Sequence, residues 1–375
     1  MGRTVAPARI LVVDDDPGVL RAVKRVLEGQ YELAGAATPD EALATAPAFC
    51  PDLAILDIRM PGMDGFELMR RLKEDRPDQE VIFVTGSMTE PDAHLIRAIR
   101  QGAFYFIQKP FDREVLQTLV ERCLELRRLR TLANRELARL RVAQGRLLPQ
   151  VAPVHPEYEL AFRYRPFYFA TGDYHGFFPQ ADGSLAVFIG DSSGHGPSAC
   201  MLMATMRTLL HTHPEVHGDP GRALSSLTRM FHALIPSDLF MTAVYLLLEG
   251  GGVMRWAAAG QHPPLRISPA GAVAAADLDP VRLPLGIDPD LEYETVRWTL
   301  QTGEKLVAFT DGIVEATDRN GRMLGIGGIQ SFLTKLAPSC HGAGALVDGL
   351  LENVSNYMGG SDFEDDLTVM AIEKR

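Results

Sequence analysis

Residues 188–200 read FIGDSSGHGPSAC. The apolar run LAVFIG leading into this stretch predicts a strand, and PSACMLMATMRTLL after it predicts a helix. Gly190-Asp191-Ser192-Ser193-Gly194 fits G-x-S-x-G, the strand–turn–helix elbow on which some hydrolases mount a nucleophilic serine. Either Ser192 is a nucleophile, or Asp191 is the working residue and the serines are small turn residues. A serine triad of this type needs a later acid and then a histidine. Asp311 and His341 are the nominal candidates. But His341 lies in the Gly/Ala loop APSCHGAGA, and no HGGG-like oxyanion segment occurs.

Acids at strand ends give a second pattern. Asp173 follows FYFATG, Asp191 follows LAVFIG, Asp311 follows KLVAFT and precedes Gly312, and Asp365-Asp366 precede LTVMAI. Singly, each reads as a turn or cap residue. Together they form an oxygen-ligand set suited to two Mg2+ or Mn2+ ions, with glycines letting backbone carbonyls approach as well. Two such ions ~4 Å apart lower the pKa of water and stabilise in-line attack at phosphorus, with no covalent serine.

Around this region the chain of 375 residues falls into three segments. It is 46% hydrophobic and 23% charged with net charge −11, which argues against broad nucleic-acid or anionic-membrane binding. Cys50, Cys123, Cys200 and Cys340 form no C-x-x-C pair and read as buried thiols of a reducing compartment. With no signal-peptide pattern and no bilayer-length apolar run, a cytoplasmic location is expected. Segment 1–120 alternates strand-like RILVVDDD, DLAILDI, EVIFVTGS and AFYFIQKP with helix-like PGVLRAVKRVLEG, FELMRRLKED and DAHLIRAIRQG. This predicts a doubly wound parallel sheet.

Segment 112–148 has no Gly or Pro from Asp112 to Gln144, and Arg113–Arg146 holds nine arginines against four glutamates. Leu116, Leu119, Cys123, Leu126, Ala133, Leu137, Leu140 and Leu147 form a seam interrupted by Arg130 and Gln144. The seam predicts a long helix, either pairing two chains as a coiled coil or packed on its own domain. Segment 149–375 mixes strands with helices near 198–211, 220–235 and 343–358, which predicts a layered α+β domain of two sheets flanked by helices.

In the first segment, Asp14 and Asp15 end one strand and Asp57 another. Their mutual repulsion wants a hard cation such as Mg2+. Thr85 and Lys109 end two further strands, a hydroxyl and an ammonium suited to a phosphoryl group.

These residues carry two resemblances. ILVVDDDPGVL, LAILDIRMPGMDGFEL, VIFVTGS and GAFYFIQKPF resemble the five-stranded receiver domain of two-component response regulators. That implies a sensor histidine kinase as partner and Asp57 as phosphoacceptor. It also implies Mg2+ held by Asp14, Asp15, Asp57 and the carbonyl of Arg59, phosphoryl oxygens bound by Thr85 and Lys109, and Phe106 as the switch aromatic. RPFYFATGDYHGFF, LAVFIGDSSGHGPSACMLM, WAAAGQHPPL, EKLVAFTDGIVEA and DDLTVMAI resemble the PPM (2C) phosphatases of the sporulation and sigma-factor-regulator branch. The resemblance implies that Asp191 bridges two Mn2+ or Mg2+ ions with the Ser192 carbonyl as a ligand. Asp311 and Asp365 would hold one ion, Asp173 would bind metal or orient the attacking water, and Asp366 would be a supporting acid of the metal set. RVAQGRLLPQ resembles the regulatory helix of that branch. Two departures stand out. Gly176 occupies the place of a second acid, removing a possible ligand, and the usual A-G-H-N-P reads Ala259-Gly260-Gln261-His262-Pro263.

The resulting expectation is a response regulator whose output is a metal-dependent phosphoserine/phosphothreonine phosphatase. Its implied substrate is a phosphorylated regulatory protein such as an anti-sigma-factor antagonist. It is expected to form a homodimer through the 112–148 helix and to engage no nucleic acid or membrane. The rival expectation is a pseudo-phosphatase adaptor gated by receiver phosphorylation.

Overall fold

A computed structural model describes residues 7–86, 104–167, 170–275, 283–360 and 363–375. The helix expected over DAHLIRAIRQG, at 92–102, lies outside them. The chain divides into two compact units between Arg135 and Glu136.

The first unit is a five-stranded parallel sheet in the order β2-β1-β3-β4-β5, as the alternating pattern predicts. Its strands are β1 (Arg9–Val13), β2 (Glu32–Ala36), β3 (Leu53–Asp57), β4 (Glu80–Thr85) and β5 (Tyr105–Gln108). Helices α1 (Pro17–Leu27), α2 (Pro39–Phe49) and α3 (Gly65–Asp75) start where Asp16, Thr38 and Asp64 cap the free N–H groups of their first turns. Alternate strand residues face opposite layers. Leu11, Val13, Leu56 and Phe83 pack towards α2 and α3, whereas Ile10, Val12, Ile55 and Val84 pack towards α1. Burial on both faces explains why these strands read as continuous apolar runs.

The long helix α4 (Arg113–Gly145) crosses the division between the units. Leu116, Val120 and Cys123 are buried in the core of the first unit and Leu119 packs against it, so this third of the expected seam is an ordinary domain-packing face. Leu126 is exposed, Leu140 packs on the core of the second unit, and Leu148, rather than Leu147, is the buried residue beyond the helix. Gln144 does not interrupt a pairing seam. It is 3% exposed and bonded within the second unit.

The second unit stacks two antiparallel sheets. One has the order β13-β10-β9-β8-β7, built from β7 (Tyr174–Pro179), β8 (Leu185–Ser192), β9 (Met241–Leu248), β10 (Val253–Ala259) and β13 (Val296–Thr299). The other has the order β12-β11-β14-β15-β6, built from β6 (Tyr158–Arg165), β11 (Leu265–Ile267), β12 (Val273–Ala274), β14 (Lys305–Phe309) and β15 (Leu367–Lys374). Val187, Ile189, Leu246, Trp256, Leu306 and Met370 fill the space between the sheets. The outer face of the first sheet is covered by α5 (Pro197–Thr212) and α6 (Pro220–His232). That of the second is covered by α7 (Gly325–Leu336) and α8 (Ala343–Met358). The two-sheet, helix-flanked expectation is borne out.

Both tryptophans, Trp256 and Trp298, lie in this unit, so tryptophan fluorescence reports its unfolding alone. Leu350→Ala, at a fully buried site on α8, should lower its unfolding free energy in urea by about 2–5 kcal/mol. A loss below about 1 kcal/mol would contradict the packing of α8 described above.

Candidate functional site

β8 delivers Asp191 to one end of the stack. Its residues Val187 and Ile189 point between the sheets, and period-two alternation puts Asp191 on the same face. Asp173, wholly buried, immediately precedes β7 and so begins a strand rather than ending one. The other sheet supplies Thr310 and Thr368, whose hydroxyls both donate to Asp173 Oδ2, the former at 3.0 Å. Asp311 follows Thr310 and opens a short 3₁₀ turn. A Cβ on Gly312 would lie 2.1 Å from the Asp366 carbonyl oxygen, so this turn tolerates only glycine. A Cβ on Gly172 would lie 2.9 Å from the Ser192 carbonyl and 3.0 Å from Asp191 Oδ1.

The opening question is answered by Ser192 itself. It is 1% exposed, and its hydroxyl donates to the Gly172 carbonyl at 2.8 Å, with the Ala199 carbonyl at 3.2 Å. A buried hydroxyl tied to backbone is a turn fastener, not a nucleophile.

The acids perturb one another. Burial raises the Asp191 carboxyl, and Asp173, Asp311 and Asp365 raise it further. Burial also raises Asp173, and burial with Asp365 raises Asp311. Among the described residues no Lys or Arg pairs with Asp173, Asp191, Asp311 or Asp365. Buried Asp173 Oδ1 has no hydrogen-bond donor other than the Asp191 carboxyl when that is protonated. An orphaned carboxylate oxygen in an all-oxygen, mutually repelling set fits a divalent cation.

Asp366 differs from its expected place in the metal set. Its two oxygens accept from the backbone N–H groups of Phe167 at 2.8 Å and Gly172 at 3.1 Å, so it holds the loop that carries Asp173. Gly176 has no room for a side chain without a shift of its neighbours. A Cβ there would meet the Tyr174 hydroxyl at 2.8 Å and the Phe178 ring at 2.9 Å, on the helix-covered face. An acid at 176 would enter that core and not join the cluster.

A cavity of about 370 Å3 opens beside Asp191, Asp311 and Asp365, with Glu364, His195, Phe240 and Thr242 in its wall. Glu315, raised by burial and by Asp311 and Asp365, sits close by. The sequence reading missed Glu364 and Glu315, although FEDDL and DGIVE carry them next to the assigned acids. It also missed the link from α4. Gln144 Nε2 donates to the Thr171 carbonyl at 2.7 Å, and Thr171 N–H donates back to Gln144 Oε1 at 3.1 Å. Thr171 Oγ1 accepts from the backbone N–H of Asp173 at 3.0 Å.

In the first unit, Asp14, Asp15 and Asp57 present ligand oxygens within 4.8 Å of one another. Lys109 Nζ lies 2.6 Å from Asp14 and 3.3 Å from Asp57. Burial raises Asp57, Lys109 opposes that, and Asp14 adds to it. Burial works against the Lys109 charge, but Asp14 and Asp57 hold the ammonium above its ordinary range. Thr85 is buried at the end of β4 and its carbonyl accepts from Lys109 N–H at 2.7 Å. The Arg59 backbone N–H donates to Asp57. Phe106 is half-buried against the α2/α3 layer.

Residues 181–375 match the sequence model of the Stage II sporulation protein E (SpoIIE) family, and residues 10–121 that of the response regulator receiver domain. The chain belongs to the SpoIIE family. It joins a receiver domain to a SpoIIE-type PPM phosphatase domain. The receiver side is 41% identical over 157 residues to the C4-dicarboxylate transport transcriptional regulatory protein DctD of Pseudomonas aeruginosa, covering 39% of this chain and 32% of DctD. The chain thus spans about a third of the length of such curated relatives. The SpoIIE side has the fold of the SiaA PP2C domain of Pseudomonas aeruginosa, at 19% identity and a TM-score of 0.57 over 66% of this chain and 99% of that one. The RsbU and RsbW domains of a Mycobacterium tuberculosis protein align at 23% identity and 0.50 over 60% and 61%. Among the described residues no helix is long and apolar enough to cross a membrane.

Without metal, burial and the acids around it push the Asp191 carboxyl up to about 10, from an ordinary 3.8 in the unfolded chain. Between those values the unfolded state binds fewer protons, so this group makes stability fall as pH rises. His175, lowered by burial to about 4, acts oppositely but only below its ordinary 6.5. With chelator present, the wild-type urea midpoint should therefore fall between about pH 7 and about pH 9. Asp191→Asn should fall less and be the more stable protein at the upper pH. An Asn variant less stable than wild type there would contradict the electrostatic account.

Proposed function

We propose that the SpoIIE-type domain hydrolyses phosphoserine or phosphothreonine esters on a regulatory protein, and that phosphorylation of Asp57 by a sensor histidine kinase controls it. The observation that carries the first part is the acid cluster around Asp191, paired with no Lys or Arg among the described residues, with its orphaned Asp173 oxygen, opening into the 370 Å3 cavity. Asp191, Asp311 and Asp365, with the Ser192 carbonyl, would hold two Mn2+ or Mg2+ ions, and Asp173 would complete the set from its buried side. Ions held there supply charge neutralisation at phosphorus and an acidified water. The chain's own part is to fix its carboxylates at the ends of two rigid sheets, to oppose with two threonine hydroxyls the effect of burial on the Asp173 carboxylate, and to leave the His195 and Phe240 side open for a phosphorylated side chain. An anti-sigma-factor antagonist is the proposed substrate, on the resemblance to sigma-factor regulators.

In the receiver, Asp14, Asp15 and Asp57 would hold Mg2+ with the Arg59 carbonyl. A phosphoryl group on Asp57 adds negative charge and acceptor oxygens, which Lys109 and Thr85 would take up, with Phe106 following. Leu126, Leu129 and Leu132 are exposed on the middle of α4, and a second copy of the chain is the proposed partner for them. The Gln144–Thr171 bonds would then pass a change in α4 to the loop holding Asp173.

With Mn2+ and a generic aryl phosphate, Asp191→Ala and Asp311→Ala should each fall below about 1% of wild-type turnover, whereas Ser192→Ala keeps more than about a tenth. Equal loss in a folded Ser192→Ala would overturn the metal reading. A small phosphodonor with Mg2+ should label wild type through an acid-stable, base-labile bond. Label persisting in Asp57→Asn would show a different acceptor.

A further inference from the structure

The departure A-G-Q-H-P acquires a role from its contacts. Gln261 follows the end of β10 and is 8% exposed. Its Oε1 accepts from the Thr242 hydroxyl, and its Nε2 donates to the Phe309 carbonyl at 2.7 Å. Thr242 is the β9 residue paired in register with Asp191, and its hydroxyl also lies 3.4 Å from the Asp191 carbonyl. Phe309 is the last residue of β14, directly before Thr310, which holds Asp173, and Asp311. One amide therefore joins the two sheets at the end where the acids gather, one residue pair away from Asp191 and two residues from Asp311.

The chemistry of that bridge is suited to its place. The threonine contacts to Asp173 also cross between the sheets, but they depend on the charge of a carboxyl that the cluster itself perturbs. The Gln261 bridge is neutral at both ends, donating at one and accepting at the other, so it persists whatever the protonation or metal content of the acids. Once Asp191 and Asp311 are both ionised with no cation between them, their repulsion pushes the sheet ends apart, and a charge-independent tie opposes it. Such outer contacts orient ligands and set affinity without touching the ion.

We propose that Gln261 is a positioning residue that fixes the separation between Asp191 on one sheet and Asp311 on the other, and so sets the affinity of the cluster for divalent cations. This rests on the reading of the cluster as a metal site. Leucine at 261 keeps the bulk and removes both bonds. Histidine can accept from Thr242 at one ring nitrogen and donate to Phe309 at the other, so it restores the bridge.

The test uses the full chain and measures free Mn2+ by electron paramagnetic resonance during titration, with turnover at each Mn2+ concentration and the thermal midpoint in chelator. Gln261→Leu should weaken Mn2+ binding about tenfold or more, and raise the Mn2+ needed for half-maximal turnover by the same factor. Turnover at saturating Mn2+ should drop far less. Gln261→His should recover most of the affinity. Thr242→Val should reproduce the loss, and the double variant should be no worse than either single one, because both cut one bridge. Unchanged Mn2+ affinity in Gln261→Leu overturns the proposal. So does a loss that tracks the thermal midpoint in every variant, histidine included, since that marks a residue serving only the fold. Asp191→Asn separates the two levels: if it binds Mn2+ as wild type does, the metal reading itself fails and the proposal falls with it.

Discussion

Four carboxylates held at one end of a two-sheet stack repel one another, and the rest of the second unit is arranged to hold them there. The favourable terms lie elsewhere. The apolar layer around Trp256 and the helices packed on both outer faces fix the strand ends that carry Asp191 and Asp311. Asp366 and Gln144 then pin the loop before Asp173 through backbone bonds. A rigid scaffold can keep an unfavourable charge arrangement in place, and a bound cation would relieve it.

The two acid clusters of this chain meet the same problem differently. In the receiver, the ammonium of Lys109 stands against Asp14 and Asp57. The internal cation offsets the repulsion within the site. In the phosphatase domain no such cation is present among the described residues, so neutralisation must come from outside. On the proposed reading, one chemistry of clustered acids would serve a covalent switch in one domain and metal-assisted hydrolysis in the other.

The core strands were legible because burial on one or both faces writes apolar runs such as ILVV, LAVFI and KLVAF. Edge and half-exposed strands were not. In β2, ELAGA has a single fully buried residue, and β6, YELAFRYR, alternates around charges, so neither shows a run. Helix α7 begins GIGG with no side-chain cap and hides its start. Asp191 and Asp311 were legible as acids beside glycine at strand ends, and Asp365 as an acid just before a strand. Gln144 and Gln261 were not, because their partners are backbone or hydroxyl groups brought close only by the fold. The α4 seam was ambiguous for a related reason: packing on one's own domain and pairing with a second chain write the same apolar spacing.

The central claim, that a receiver controls this phosphatase, is tested most directly by turnover. Hydrolysis of a phosphoserine peptide by the full chain with Mn2+ is measured before and after treatment with a small phosphodonor, in wild type and in Asp57→Asn. The account predicts a severalfold change in the wild type and none in the variant. An unchanged wild-type rate, with Asp57 verified as phosphorylated, or the same change in both proteins, would contradict it.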